Sequence, residues 1–279
     1  MFTSFLSPST TTLFTSFINS CVKGAKMEAE AVLFDLFNTL VLLEDDEAFY
    51  MPSLKKLHDF LVMKDINIPF EDFTRAYFEV RDKIYQEANK SLEDPHFNVR
   101  VSQTLQKFGY GLAVSHPTVN GATQAFADEF MKYVSLDDDA LHVLERLHGK
   151  YKLGIVSNLS IPELVSKLLA EFGLSRFFGA VIISGAINKR KPSPEVFWKA
   201  LRALGVEASR TIFVGDTLDI DIRGAKSAGL KAVLIVRKPS PPEGSISLVY
   251  KPPNEGEKVT PDIVIRSLRE LLDLLKDFS

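Results

Sequence analysis

The chain is poor in the groups from which soft metal sites and disulfides are made. Among 279 residues Cys21 is the single cysteine, so an intrachain disulfide and a multi-thiolate metal site are both excluded. One thiol in a chain of this length fits a reducing, intracellular setting, and a cytoplasmic location is expected. Histidine is scarce too. The five, at 58, 96, 116, 142 and 148, show none of the i,i+4 pairing of a helical zinc site. No apolar run approaches the roughly 18 residues of a membrane span. A net charge of -3, with acids and bases interspersed, gives no basic footprint for nucleic acid. Metal chemistry, if present, must rest on carboxylates.

What is there is ordinary globular material, 46% hydrophobic and 25% charged, enough for a sizeable core. Residues 1–27 stand apart, being rich in Ser, Thr and Phe and free of acids. They read as an N-terminal extension, either a targeting segment lacking the arginines of a transit peptide or a stretch preceding a start at Met27.

"AVLF" before Asp35 is a short apolar run closed by a polar loop, as in a buried parallel strand. From residue 45 to 134 apolar residues recur at three- and four-residue spacing in four segments, with no alternating strand pattern among them. A helical bundle inserted after the first strand is expected there, with "LLEDDE" as the loop entering it. Strand and helix then alternate: "KLGIVSN", "AVIISG", "TIFVGD" and "KAVLIV" read as strands, each followed or preceded by a helix. "DDDALHVLERLHGK" reads as a helix whose three opening acids suit the positive end of its dipole. "PDIVIRSLRELLDLLKDF" closes the chain as a short strand and an amphipathic helix, after a Pro- and Gly-punctuated surface loop. The expected fold is α/β, a Rossmann-like parallel sheet from residues 28–44 and 135–279 with a helical-bundle cap from 45–134.

Polar residues gather at the carboxyl ends of the strands, where open α/β sheets bind ligands. Asp35 and Thr39 follow the first strand, Ser157 and Asn158 the second; Lys191 precedes a helix, and Asp216 and Asp221 follow "TIFVG". Each alone also reads as a cap, a turn residue or a surface charge. Together they suit phosphoryl transfer. A carboxylate such as Asp35 can attack phosphorus. Asp35 and Asp216 suit Mg2+, and Lys191 with the Ser157 hydroxyl suits the remaining phosphoryl oxygens.

In these motifs the sequence resembles the haloacid dehalogenase superfamily of hydrolases, from about Val32 to Leu275. The likeness is dense in "GLSRFFGAVIISGAINKRKPSPEVFWKALRALG" and "TIFVGDTLDIDIRGAKSAGLKAVLIV". It implies a Mg2+-dependent phosphohydrolase of the type with a helical cap, acting on a small phosphorylated metabolite. By that resemblance Asp35 is the nucleophile that becomes an aspartyl-phosphate, and Lys191 steadies nucleophile and phosphate. Thr39, Ser157 and Asn158 serve the substrate side. Asp35, the backbone carbonyl of Phe37, Asp216 and Asp221 serve the metal, with Asp219 the weaker alternative to Asp221.

Phe37 departs from the pattern. Family phosphatases carry an aspartate there as general acid-base, and Phe37 cannot transfer a proton. Two other readings therefore stay open. One is a 2-haloacid dehalogenase, in which an aromatic residue stands at this position; against it, Gly215-Asp216 is present and no arginine occurs between Asp35 and Arg75. The other is a non-catalytic binding module on the same fold. Within the helical segment Arg75, Tyr77, Arg81, Lys83, Tyr85 and Arg100 are candidate substrate contacts, none distinguishable from a packing or solvent-facing residue by pattern alone.

Overall fold

The structure is a computed structural model, and it describes residues 29–44, 46–237 and 259–276. The N-terminal extension and most of the loop before the last strand lie outside the described residues. Six parallel strands form one sheet in the order β5-β4-β1-β6-β7-β8: β1 (Ala31–Phe34), β4 (Lys152–Ser157), β5 (Ala180–Ile183), β6 (Thr211–Gly215), β7 (Lys231–Ile235) and β8 (Ile263–Ile265). β1 is central. The chain builds outward from it through β4 and β5, then returns to β6 on the other side, so the order reverses beside β1 and opens a crevice at the carboxyl ends of β1, β4 and β6.

Strand alternation explains the layers. Val32 and Phe34 of β1 point into one core with Ile155, Ile212 and Val214, covered by α5 (Ala140–Leu147), α6 (Pro162–Glu171) and α10 (Leu268–Lys276). Ala31 and Leu33 point the other way, into a core with Phe213 closed by α8 (Pro194–Leu204) and α9 (Arg223–Ser227). Every residue of β1 is fully buried, which is why its sequence is a continuous apolar run. α8 shows how local signals delimit a helix. Ser193 Oγ accepts from the Glu195 N–H, Pro194 occupies the first turn, and Gly205 ends it at φ 61. Between its ends Val196, Phe197, Ala200, Leu201 and Leu204 are buried as one stripe.

Between β1 and α5 the chain runs through four helices, α1 (Asp46–Val62), α2 (Phe70–Ser91), α3 (Phe97–Gln106) and α4 (Pro117–Phe130). They share a separate, aromatic-rich core in which Phe49, Tyr50, Phe73, Tyr77, Phe97 and Phe126 meet. His96 and His116 cap the amino ends of α3 and α4 by accepting from Asn98 N and Thr118 N.

Two local expectations change. Part of "LLEDDE" is not simply a loop: β2 (Val41–Leu43) pairs antiparallel with β3 (Val134–Leu136), and together they form the two-stranded connection on which the helices are carried. Three-residue strands have too few residues to show a period, and their partners are remote in sequence. The three acids do not open α5 but precede it. Asp137 is buried, accepts from Asp139 N and pairs with Arg237 at 2.9 Å, while Asp139 pairs with Arg269. Asp137 and Asp139 thus also pair with distant residues, while Asp139 stands at the N-cap of α5.

Candidate active site

At the carboxyl end of β1 the chain turns sharply, with Asn38 in the left-handed region at φ 56, a conformation Asn tolerates through its short polar side chain. Asp35 is held in that turn, its N–H donating to Val214 O of β6. Lys191, 156 residues away and 1% exposed, reaches its carboxylate at 2.5 Å. The same ammonium stands 2.7 Å from Asp221 Oδ1, a close ion pair rather than an aligned hydrogen bond. Asp35, Asp216 and Asp221 each present an oxygen within 4.8 Å of the others.

The turn after β6 makes this possible. A Cβ on Gly215 would stand 2.6 Å from the Asp221 carboxyl carbon, so only glycine lets the next turn fold back so closely. That turn, Leu218–Ile222, is a π-helical one, and the wider winding points Asp221 inward, where Thr217 N–H donates to its Oδ2. Asp219 leaves the cluster and pairs with Arg223 at 2.6 Å.

The substrate-side residues divide. Ser157, at the end of β4, lines the cavity with a buried hydroxyl that has no hydrogen-bond partner among the described residues. Asn158 spends its amide on the main chain of Lys191, donating from Nδ2 to Lys191 O and accepting at Oδ1 from Lys191 N. Thr39 lies outside the cavity wall, fully buried behind Asp35, with Oγ1 3.5 Å from Asp35 Oδ2 and its carbonyl accepting from Arg237. Asn158, itself in the cavity wall, thus holds the Lys191 main chain, and Thr39 backs Asp35 from outside that wall.

Three comparisons with known proteins bear on this arrangement. The family model described as haloacid dehalogenase-like hydrolase matches residues 29–229, from the start of β1 past the acidic turn. The chain belongs to this family. A second model, for HAD-like hydrolases, matches residues 188–271 of the same family member. Among curated proteins, this hydrolase-family chain is 35% identical over 162 residues to the glyceraldehyde 3-phosphate phosphatase of Methanopyrus kandleri, covering 58% of this chain and 65% of that one. It is 28% identical to the N-acylneuraminate-9-phosphatase of Rattus norvegicus over 88% of this chain and 93% of that one. The chain spans 65% and 51% of the lengths of the Methanopyrus protein and of the phosphoserine phosphatase of Thermus thermophilus. Among solved structures, a HAD phosphatase from Thermococcus onnurineus superposes with a TM-score of 0.55 at 26% identity, covering 88% of this chain and 97% of that one. A 2-haloacid dehalogenase from Pseudomonas syringae pv. Tomato reaches 0.64 at 22% identity, covering 90% and 100%, a likeness of fold.

The electrostatics of this family member's site are unbalanced without a cation. Burial pushes the Asp35 carboxyl up to about 6, although Lys191 pulls the other way. Burial, with the charges of Asp221 and Asp35, pushes Asp216 up to about 8. Burial acts to lower the Lys191 pKa, but Asp221 and Asp35 outweigh it and hold the ammonium above its ordinary value. When all are ionised, three carboxylates and one ammonium leave two negative charges in one buried place. Hard oxygen donors carrying that excess fit a divalent cation such as Mg2+.

The acidic cluster opens into a cavity of about 270 Å³ between the strand ends and the four helices. Phe37 lines it, packed edge-on against Phe130 of α4. Of the six residues singled out in the helical segment, Tyr85 and Arg100 line the cavity and the other four do not. The cavity also takes in Asp94 and Arg190, which pair with each other and which sequence reasoning missed.

Proposed function

We propose that the protein is a Mg2+-dependent phosphohydrolase of small phosphorylated metabolites, working through an aspartyl-phosphate on Asp35. The observation that carries the reading is Asp35 gripped by Lys191 within a cluster of three carboxylates, two buried and one, Asp216, half-buried, facing a cavity. The phosphatase names of the curated relatives support it. Asp35, the Phe37 carbonyl, Asp216 and Asp221 would hold the metal. Bound Mg2+ supplies charge neutralisation at the transferring phosphoryl group.

The chain's own residues do the rest. Asp35 attacks phosphorus; its Oδ–P bond forms as the bond to the leaving oxygen breaks. Lys191 keeps the carboxylate oriented and balances charge on the phosphoryl oxygens. The Ser157 hydroxyl, which has no hydrogen-bond partner among the described residues, donates to one of those oxygens. Water then attacks phosphorus and frees Asp35. The four helices act as a cap that excludes bulk water and selects the substrate.

Phe37 makes the turnover depend on the leaving group. General acid-base help is worth roughly 10²–10⁴-fold, about 3–5 kcal/mol of barrier. An acyl or aryl phosphate needs little of it, whereas an alkyl phosphate needs all. The second reading, dehalogenation, draws on that same aromatic residue. Hydrolysis of p-nitrophenyl phosphate with Mg2+, and its loss in EDTA and in Asp35→Asn, is the test. Chloride release from 2-chloro acids without phosphatase activity would replace this reading with the second.

A further inference from the structure

Arg100 is 5% exposed, lines the cavity, and has no carboxylate partner among the described residues. Its contacts are two tyrosine hydroxyls, Tyr50 and Tyr77, at 3.1 and 3.2 Å from Nη1, and the faces of Tyr77, Tyr85 and Phe97. Nε is buried without a hydrogen-bond partner. The contrast with Arg190 is direct: that buried guanidinium, on the same cavity, has Asp94 beside it. Burying a guanidinium without a counter-charge is costly, and phenol hydroxyls offset the cost only in part. With Nη1 tied to two tyrosines and Nε buried without a partner, the guanidinium is a fixed planar cation whose unbalanced charge suits a single carboxylate.

The cavity supplies the rest of the description. Arg100 belongs to α3, and Asp35, Ser157 and Lys191 to the strand ends, so the space between them belongs to the substrate. Phe37, Phe126, Phe130 and Leu164 line that space. A molecule spanning it has an anionic group at each end and an apolar middle.

We propose that Arg100 binds a carboxylate carried by the substrate, which makes the substrate class phosphorylated organic acids with an apolar spacer. This deepens the phosphohydrolase reading and rests on it for the phosphoryl end. One guanidinium, with neutral hydroxyls as its neighbours, matches one negative charge. A carboxylate meets that condition and a second dianionic phosphoryl group does not. Tyr50, tied to both Arg100 and Tyr77, fixes the fork's orientation.

The experiment is calorimetric and needs no turnover. A series of ω-carboxyalkylphosphonates of increasing chain length is titrated into the Mg2+-loaded protein beside carboxylate-free alkylphosphonates and alkyl bisphosphonates of matching length. At one chain length the carboxylate should tighten binding roughly tenfold to a hundredfold, as for a hydrogen-bonded charge pair. That gain should vanish in Arg100→Met and survive in part in Arg100→Lys. Equal affinities with and without the carboxylate in the wild-type protein overturn the proposal, whatever the variants do. So does a bisphosphonate that binds better than every carboxylate. If plain alkylphosphonates do not bind at all, the phosphohydrolase reading fails by itself. The Arg100 proposal is then decided by simple alkyl carboxylates, which should raise the melting temperature of wild type and not of Arg100→Met; no shift in wild type overturns it.

Discussion

Phe37 and Phe130 meet edge to face, ring centroids 5.8 Å apart and planes at 87°, joining the strand-end turn to the last helix of the inserted bundle. The residue that stands where an acid is expected is thus also a packing contact between two cores. Phe37→Asp removes an aromatic pair and places a carboxylate against Phe130. The expected cost is about 1–3 kcal/mol, read as a lower urea midpoint. On kinetics the change acts the other way. Wild-type rates should fall steeply as leaving-group pKa rises, and the variant should flatten that slope, gaining mainly on alkyl phosphates. A wild type that hydrolyses sugar phosphates as readily as p-nitrophenyl phosphate would show that another group supplies the proton.

Ser157 separates binding from stability. Its hydroxyl is buried and bonds to none of the described residues, so Ser157→Ala gives up no hydrogen bond among them. The melting temperature should hold or rise, because an unsatisfied buried group is removed. KM for p-nitrophenyl phosphate should rise about tenfold, the loss of one hydrogen bond to a charged oxygen. A fall in stability with KM unchanged would mean that the hydroxyl is structural.

Lys191 is the reverse case. It is the ammonium between Asp35 and Asp221, and Lys191→Met leaves their charges buried and uncompensated. Unfolding free energy should drop by about 3–5 kcal/mol, with activity lost. Arg in its place is no rescue, since a planar fork does not fit a point-charge site. Equilibrium urea curves on both variants check this.

Asp216 ties stability to pH. Its carboxyl is pushed from 3.8 to about 8, so the folded state binds the proton more tightly than the unfolded chain does. Metal-free protein should therefore lose stability as pH rises from about 4, with the full penalty present above about 8. Asp216→Asn should melt higher than wild type in EDTA at alkaline pH, and the two curves should converge near pH 4. Mg2+ should raise the wild-type melting temperature and the variant's much less. Parallel curves across that range would refute the account.

The sequence by itself determined the order of strands and helices and the place of Asp35, Ser157, Lys191 and Asp216 at strand ends. Those features are local, carried by apolar periodicity, caps and turn residues within a few positions of one another. Tertiary structure decided which polar groups meet. Thr39 and Asn158 carry motif-like positions, yet one backs Asp35 and the other clamps the Lys191 main chain. Asp219 and Asp221 are near equivalents in sequence, and one π-helical turn gives the first to Arg223 and the second to the cluster. β2 and β3 exist because each finds the other across the whole helical insertion. Arg100 reads from its helix as one charge among several, and burial among tyrosines, with no carboxylate partner among the described residues, follows only from how α3 packs on α1 and α2. Pairing between residues far apart in the chain leaves no periodic mark on either, and that is the part a sequence cannot display.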